Sequence, residues 1–332
     1  MTDTPYDVII VGGGPAGLGA ALYTSRDRYR TLILEKMIPG GQIFTTDRIE
    51  NYPGIARIDG PGLVDQMQKQ VESFGTEIKT GSEVTEIKRT GDGRIEVHCD
   101  KDRYVARAVV LAPGSSYRKL GVPGEEEFRN AGAGVSYCGT CDAPFFRDKE
   151  VVSVGGGNTA IEETLHLAKY ASKVTIVHRR NEFRADRILV EELLAKAAEP
   201  GGKIVIRYDS VVTAIQGEGR VQSVRLKNVK TNHEEDYPCD GAFIFVGTVP
   251  NTDFLKGIVE LTDQGFIRCD SAHLRTSVPG VFVAGDCRVG ATMQLITAVA
   301  DGVNTAMMIK QYFRDPQWWK KINSNGGESF GW

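Results

Sequence analysis

Hydrophobic positions along the chain gather in short β-branched runs, divided by glycine-rich gaps and by longer segments of helical period. Tyr6–Val11 (YDVIIV) is apolar with little alternation, the pattern of a strand covered on both faces of a parallel sheet. Gly12-x-Gly14-x-x-Gly17 follows at once. The segment from Leu18 to Arg30 reads as a helix with small residues toward the sheet. Thr31–Glu35 (TLILE) reads as a second strand, ending in an acid 23 positions after Gly12. A glycine fingerprint alone is weak evidence. Placed between strand and helix, and followed by strand and acid, it specifies a dinucleotide fold. Gly12 permits the tight turn, Gly14 lets a pyrophosphate approach the backbone, and Gly17 lets helix and strand pack. The helix N-terminus offers free N–H groups to phosphate oxygens, and Glu35 is placed to accept from ribose hydroxyls.

The same pattern returns 143 residues later. Glu150–Val154 (EVVSV) is a strand, Gly155-x-Gly157-x-x-Ala160 opens a helix running to about Tyr170, and Lys173–Val177 (KVTIV) is the next strand. That spacing is too long for a solenoid repeat and suits a second domain. The second copy ends differently: His178-Arg179-Arg180 stands where an acid would be, with Arg184 four residues on. A carboxylate there would repel a ribose 2′-phosphate, whereas guanidinium groups grip one bidentately. The second site is therefore expected to prefer NADP over NAD.

Composition narrows the class. The chain has 332 residues, 41% hydrophobic and 25% charged, which fits a two-domain globular protein. A net charge of −3 argues against a nucleic-acid partner, which needs basic excess to displace phosphate counterions. No apolar run approaches a membrane span and no signal segment is visible, so no membrane association and a cytoplasmic location are expected. In that compartment six cysteines should serve as thiols, metal ligands or redox groups. Four are scattered; Cys138 and Cys141 form a C-x-x-C followed by Asp142. Zinc would need further ligands at fixed spacing, and the five histidines are dispersed, so no metal is expected. A redox disulfide needs only the pair, and Asp142 is placed to move a proton as a thiol attacks or leaves. Two dinucleotide sites plus a dithiol suggest an electron line from nicotinamide through flavin to disulfide.

At this point the sequence resembles the low-molecular-weight thioredoxin reductases over nearly its whole length. The resemblance rests on VGGGPAG (11–17), PGGQ (39–42), IENYPG (49–54), CGTCD (138–142), VGGGNTAIEE (154–163), HRRNEFRA (178–185) and VFVAGDC (281–287). It implies an α/β protein with two Rossmann-like dinucleotide-binding domains, the FAD domain discontinuous (1–116 and 248–314) and interrupted by an NADPH domain (117–247) carrying the C-x-x-C. It implies a homodimer that reduces thioredoxin. Carried onto this chain, FAD contacts fall on Gly12, Gly14, Pro15, Ala16, Gly17, Glu35, Gly41, Gln42, Asn51, Gly285, Asp286 and Gln294. NADPH contacts fall on Gly157, Asn158, Thr159, His178, Arg179, Arg180 and Arg184. Cys141 is expected to face the flavin and Cys138 to attack thioredoxin. The dithiol and the nicotinamide share one domain and one flavin target, so that domain is expected to rotate about crossings near Ser115–Lys119 and Gly247–Pro250.

The last helix is expected from about Ala291 to Phe313, its N-terminus toward the flavin. Pro113 and Met293 depart from the family pattern, which usually has threonine and arginine there. So does the tail, 315–332, which holds all three tryptophans, Trp318, Trp319 and Trp332. Phe330 or Trp332 is expected to stack on the isoalloxazine and gate it. Rival readings are a thioredoxin reductase fed by ferredoxin with a silent NADPH site, a ferredoxin–NADP reductase, and a non-catalytic flavoprotein binding module. Cys138 and Cys141 count against the second.

Overall fold

The computed structural model describes residues 5–46, 49–100, 102–315 and 317–319. The chain forms two compact units, Met1–Ser116 with Val249–Trp332, and Tyr117–Thr248.

The first unit begins with β1 (Tyr6–Val11), α1 (Pro15–Arg26) and β2 (Thr31–Leu34). It continues through α2 (Gly60–Ser73), β3 (Glu77–Lys79), β4 (Val84–Arg89), β5 (Ile95–Cys99) and β6 (Asp102–Leu111). The sheet order is β3-β2-β1-β6-β5-β4. The first four are parallel, with Val8 opposite both Thr31 and Ala108. The hairpin β4–β5 joins antiparallel to the first half of β6. Alternate residues of β1 feed opposite faces: Ile9 and Val11 pack with Val97 and Leu255, Val8 and Ile10 with Leu18 and Phe282. Burial on both faces is what makes this strand an unbroken apolar run.

The chain crosses over at β7 (Ser115–Tyr117) into the second unit, which holds α3 (Glu125–Asn130), β8 (Val135–Ser136) and a short helical turn, α4 (Gly139–Asp142). Then come β9 (Glu150–Gly155), α5 (Asn158–Leu167), β10 (Lys173–Val177), α6 (Arg187–Ala198) and β11 (Ile204–Arg207). A meander of β12 (Ser210–Gln216), β13 (Ser223–Asn228) and β14 (Glu234–Pro238) precedes β15 (Gly241–Phe245). The main sheet, β11-β10-β9-β15-β8, is parallel throughout, and the meander is antiparallel.

The chain returns through β16 (Thr248–Pro250), and β17 (Val281–Val283) completes the first sheet beside the end of β6. Helix α7 (Leu295–Arg314) packs across α1. Two glycines permit this crossing: a Cβ on Gly302 would lie 2.0 Å from Ala16 O, and one on Gly19 2.8 Å from Val299 O. α7 starts four residues later than the expected Ala291. Met293 takes a positive φ of 58° and Gln294 an extended conformation, so the helix has no backbone to continue into before Leu295. Likewise α1 ends at Arg26 rather than Arg30, where Arg28 has φ 65°.

Trp318 and Trp319 are core residues rather than part of a solvated tail, 5% and 7% exposed. Trp319 meets Phe282 edge-on at 5.1 Å and Tyr312 at 5.6 Å. The Arg275 guanidinium lies over both indoles, at 5.5 and 5.4 Å, and donates to Trp319 O at 2.9 Å. Phe330 and Trp332 lie outside the described residues.

Candidate functional site

The first glycine loop has the form a nucleotide cradle requires. Gly12 takes φ 105°, and a Cβ there would strike Ala112 O at 2.3 Å. A Cβ on Gly17 would lie 2.0 Å from Gly12 O, so loop and helix touch backbone to backbone. At Gly14, by contrast, a Cβ would meet nothing within 4 Å: the loop is open at the start of α1, where the free N–H groups point. Pro15 occupies the first helical position, where its missing N–H costs nothing. Glu35, just past β2, braces the loop by accepting from Gly13 N at 2.7 Å and from Met37 N at 2.9 Å.

Two further segments close on this opening. Gly40 N donates to Gly13 O at 2.8 Å, and a Cβ on Gly41 would come 3.7 Å from Gly14 Cα. Gln42, next in line, donates through its amide to Ser115 O. On the opposite side, Gly285 has φ 78°, and a Cβ there would fall 2.9 Å from that of Ala16. Buried Asp301 fixes this turn: it accepts from Gly285 N at 3.0 Å and from Arg288 at 2.6 and 2.9 Å. Burial, with the Asp301 charge added, pushes the Asp286 carboxyl up to about 6. Gln294 caps α7, and Asn51 is exposed. The Gly14 opening fits a pyrophosphate, because it leaves room that a side chain would fill and supplies donors.

The second loop repeats the opening with a different frame. A Cβ on Gly157 would meet nothing within 4 Å, and Asn158 and Thr159 are exposed in the first turn of α5. The Asn158 side chain exchanges two hydrogen bonds with Asp186, at 2.7 and 2.8 Å. His178, at the end of β10, is 4% exposed; its Nε2 lies 2.9 Å from Glu182 O and its ring stacks on Phe183 at 5.2 Å. Its buried ring lies under the 179–184 loop. That loop is tied back by Arg184 N donating to Gly156 O at 2.8 Å. Arg179, Arg180 and Arg184 are exposed, and none has a carboxylate partner among the described residues.

The dithiol lies in the same unit as this second loop. Cys138 and Cys141 form a disulfide with Cα atoms 5.3 Å apart. Cys138 caps α4, its sulfur accepting from Cys141 N at 3.1 Å. Asp142 accepts from the Ser136 hydroxyl at 2.6 Å, and that oxygen accepts from Cys138 N at 3.0 Å. Tyr137 anchors the approach: its hydroxyl donates to buried Glu125, which also accepts from Leu120 N and Gly121 N. The free cysteines are Cys99, Cys239 and Cys287, all buried, and half-buried Cys269. Burial pushes Cys239 and Cys287 up to about 12, which leaves them unreactive.

Three contributors escaped the sequence reading. Asp301 and Arg288 hold the Gly285 turn, and Glu163 holds Thr140 between the cysteines, its carboxylate accepting from Thr140 N at 2.8 Å and Oγ1 at 3.1 Å. Glu163 falls within a quoted motif, but nothing in its spacing points to Thr140, which lies 23 residues away.

The family model for pyridine nucleotide-disulphide oxidoreductases matches residues 6–302. A thioredoxin reductase of Peptoclostridium acidaminophilum is 42% identical over 315 residues, covering 92% of this chain and 96% of that one. Among solved structures, thioredoxin reductase from Streptococcus pyogenes superposes with TM-score 0.87 at 41% identity, covering 94% of this chain and 99% of that one. Thioredoxin reductase from Giardia duodenalis gives 0.85 at 35% identity, covering 94% and 100%.

Proposed function

The chain belongs to the pyridine nucleotide-disulphide oxidoreductase family, and from that premise we propose that it is an FAD-dependent thioredoxin-disulfide reductase with NADPH as electron donor. The observation that carries the reading is the Cys138–Cys141 disulfide, set in the same compact unit as a nucleotide loop rimmed by exposed arginines.

We assign FAD to the first unit. Gly12, Gly14, Pro15, Ala16, Gly17, Gly41 and Gln42 would line its pyrophosphate and flavin side. Glu35 would take the ribose, with Asn51, Gly285, Asp286 and Gln294 completing the cradle. We assign NADPH to the second unit, where Gly157, Asn158 and Thr159 would bind its phosphates. Arg179, Arg180 and Arg184 would bind the 2′-phosphate, held in place from below by His178. FAD, when bound, supplies the conversion of a hydride equivalent into two electrons delivered to sulfur.

The protein's own groups then carry the exchange. Reduction breaks the Cys138–Cys141 bond and yields two thiols. Cys138 gives its thiol proton to Asp142, and its thiolate attacks one sulfur of the thioredoxin disulfide and expels the other as a thiolate, forming a mixed disulfide. Cys141 then attacks Cys138, re-forms the intramolecular bond and releases dithiol thioredoxin. Asp142, held by Ser136, supplies and recovers the proton of the departing sulfur. Three exposed arginines, without carboxylate partners among the described residues, favour NADPH over a ferredoxin donor. A homodimer is proposed on the family resemblance. Among the described residues no helix is long and apolar enough to cross a membrane. Anaerobic titration with NADPH and, separately, with reduced ferredoxin tests the donor: bleaching of the flavin band by NADPH is expected, and bleaching by ferredoxin alone would replace the reading.

A further inference from the structure

Helix α5 begins at the second glycine loop, and its sixth residue, Glu163, reaches the turn that carries the cysteines. Glu163 Oε2 accepts from Thr140 N at 2.8 Å, and Oε1 accepts from Thr140 Oγ1 at 3.1 Å. A Cβ on Gly139 would fall 2.2 Å from Glu163 Oε2, so glycine at 139 is what admits the carboxylate. Cys138 is the capping residue of this turn, with Cys141 N donating to its sulfur at 3.1 Å.

A capping side chain ordinarily accepts from the second or third N–H of its turn. Here those are the N–H groups of Thr140 and Cys141. The Cys138 sulfur holds one and Glu163 holds the other. Each donor directed at sulfur favours a thiolate over a thiol, and a nearby negative charge disfavours it. We propose that Glu163 is a positioning residue that sets the reduction potential of the dithiol. It withholds the Thr140 N–H from Cys138 and places a carboxylate beside the pair, which destabilises the reduced form and makes the dithiol a stronger reductant.

The step concerned is balanced. The Cys138–Cys141 bond breaks, two electrons enter, and two protons give two thiols, or one proton gives a thiol and a Cys138 thiolate. In the enzyme the electrons come from NADPH by way of FAD; in the test they come from dithiothreitol. The inference rests on the redox reading of the pair, but its test uses neither NADPH nor thioredoxin, so the two fail separately.

The FAD-loaded full-length protein is equilibrated at pH 7 across mixtures of reduced and oxidised dithiothreitol. Thiols are then trapped by alkylation under denaturing conditions, and the two that appear above the four constant cysteines are counted. Glu163→Gln, which removes the charge, is expected to shift the equilibrium three- to tenfold toward the dithiol, raising the midpoint by about 15–30 mV. Glu163→Ala, which also frees the Thr140 N–H, is expected to shift it further in the same direction. Thr140→Val keeps the backbone bond and the charge, and is expected to move it less than either. If Glu163→Ala fails to fold, Glu163→Gln alone decides. A midpoint for Glu163→Gln that is unchanged or lower than wild type overturns the proposal.

Discussion

The imidazole of His178 fills the space that any side chain on Gly156 would need. A Cβ built on Gly156 falls 2.2 Å from both Cε1 and Nδ1 of the ring. The glycine at the middle of the second loop is therefore explained by a protein side chain, whereas Gly157 beside it opens onto free space. Gly156→Ala should force the ring and the 179–184 loop outward. The expected cost is about 1–3 kcal/mol, as for other overpacked sites, with weaker NADPH binding and unchanged FAD content. Thermal unfolding and NADPH titration of the variant check both parts.

The same ring gives a pH dependence. Burial holds the His178 imidazole below its usual 6.5, with Arg180 and Arg184 acting in the same direction against two backbone carbonyl contacts. The unfolded chain then binds a proton near 6.5 that the folded chain refuses. The stabilisation is complete above that value and declines as pH falls through it toward the lowered folded pKa. Urea midpoints measured at pH 7.5 and 5.5 should show a smaller drop for His178→Phe than for wild type.

Arg179 and Arg180 lie exposed, without carboxylate partners among the described residues, so removing them should cost little stability and much selectivity. Replacing both with alanine should raise the KM for NADPH about tenfold or more, the size of a lost charge-assisted contact. The KM for NADH should change little. Steady-state rates with each cofactor decide it; equal losses for both would detach these arginines from the 2′-phosphate.

Much of this site was legible because its signals are local. Tyr6 to Glu35 and Glu150 to Arg180 each form a continuous strand–loop–helix–strand stretch, and within them Gly17 is explained by Gly12 O and Gly156 by His178. Cys138 and Cys141 bond across a single turn. What was not legible depends on partners far apart in sequence. Glu163 meets Thr140 across 23 residues, and Asp301 reaches back 16 to Gly285. Trp319 is held by Arg275, 44 residues earlier, and by Phe282 on a sheet strand. From sequence this tryptophan reads as part of a loose aromatic tail, because nothing in residues 315–319 announces the pocket that takes it. The late start of α7 has a local origin: Met293 is left-handed and Gln294 extended.

The docked tryptophan carries its own prediction. Trp319 is 7% exposed and packs on Phe282 and Tyr312. Trp319→Ala should lower stability by about 3–5 kcal/mol, the usual cost of deleting a buried large aromatic. Denaturant unfolding of the FAD-loaded protein measures it. A change under about 1 kcal/mol would mean that the end of the chain adds nothing to the core.

Electrons leave through Cys138, and one anaerobic experiment reads that directly. The FAD-loaded protein is reduced with two equivalents of NADPH, enough for the disulfide and the flavin, excess oxidised thioredoxin is added, and flavin absorbance is followed together with free thiols on thioredoxin. Wild type should bleach with NADPH, then recover as thioredoxin thiols appear. Cys138→Ser should bleach with NADPH and then stay reduced, with no thiols formed. Thioredoxin reduction by Cys138→Ser at the wild-type rate, or wild-type protein that NADPH fails to bleach, would contradict the account.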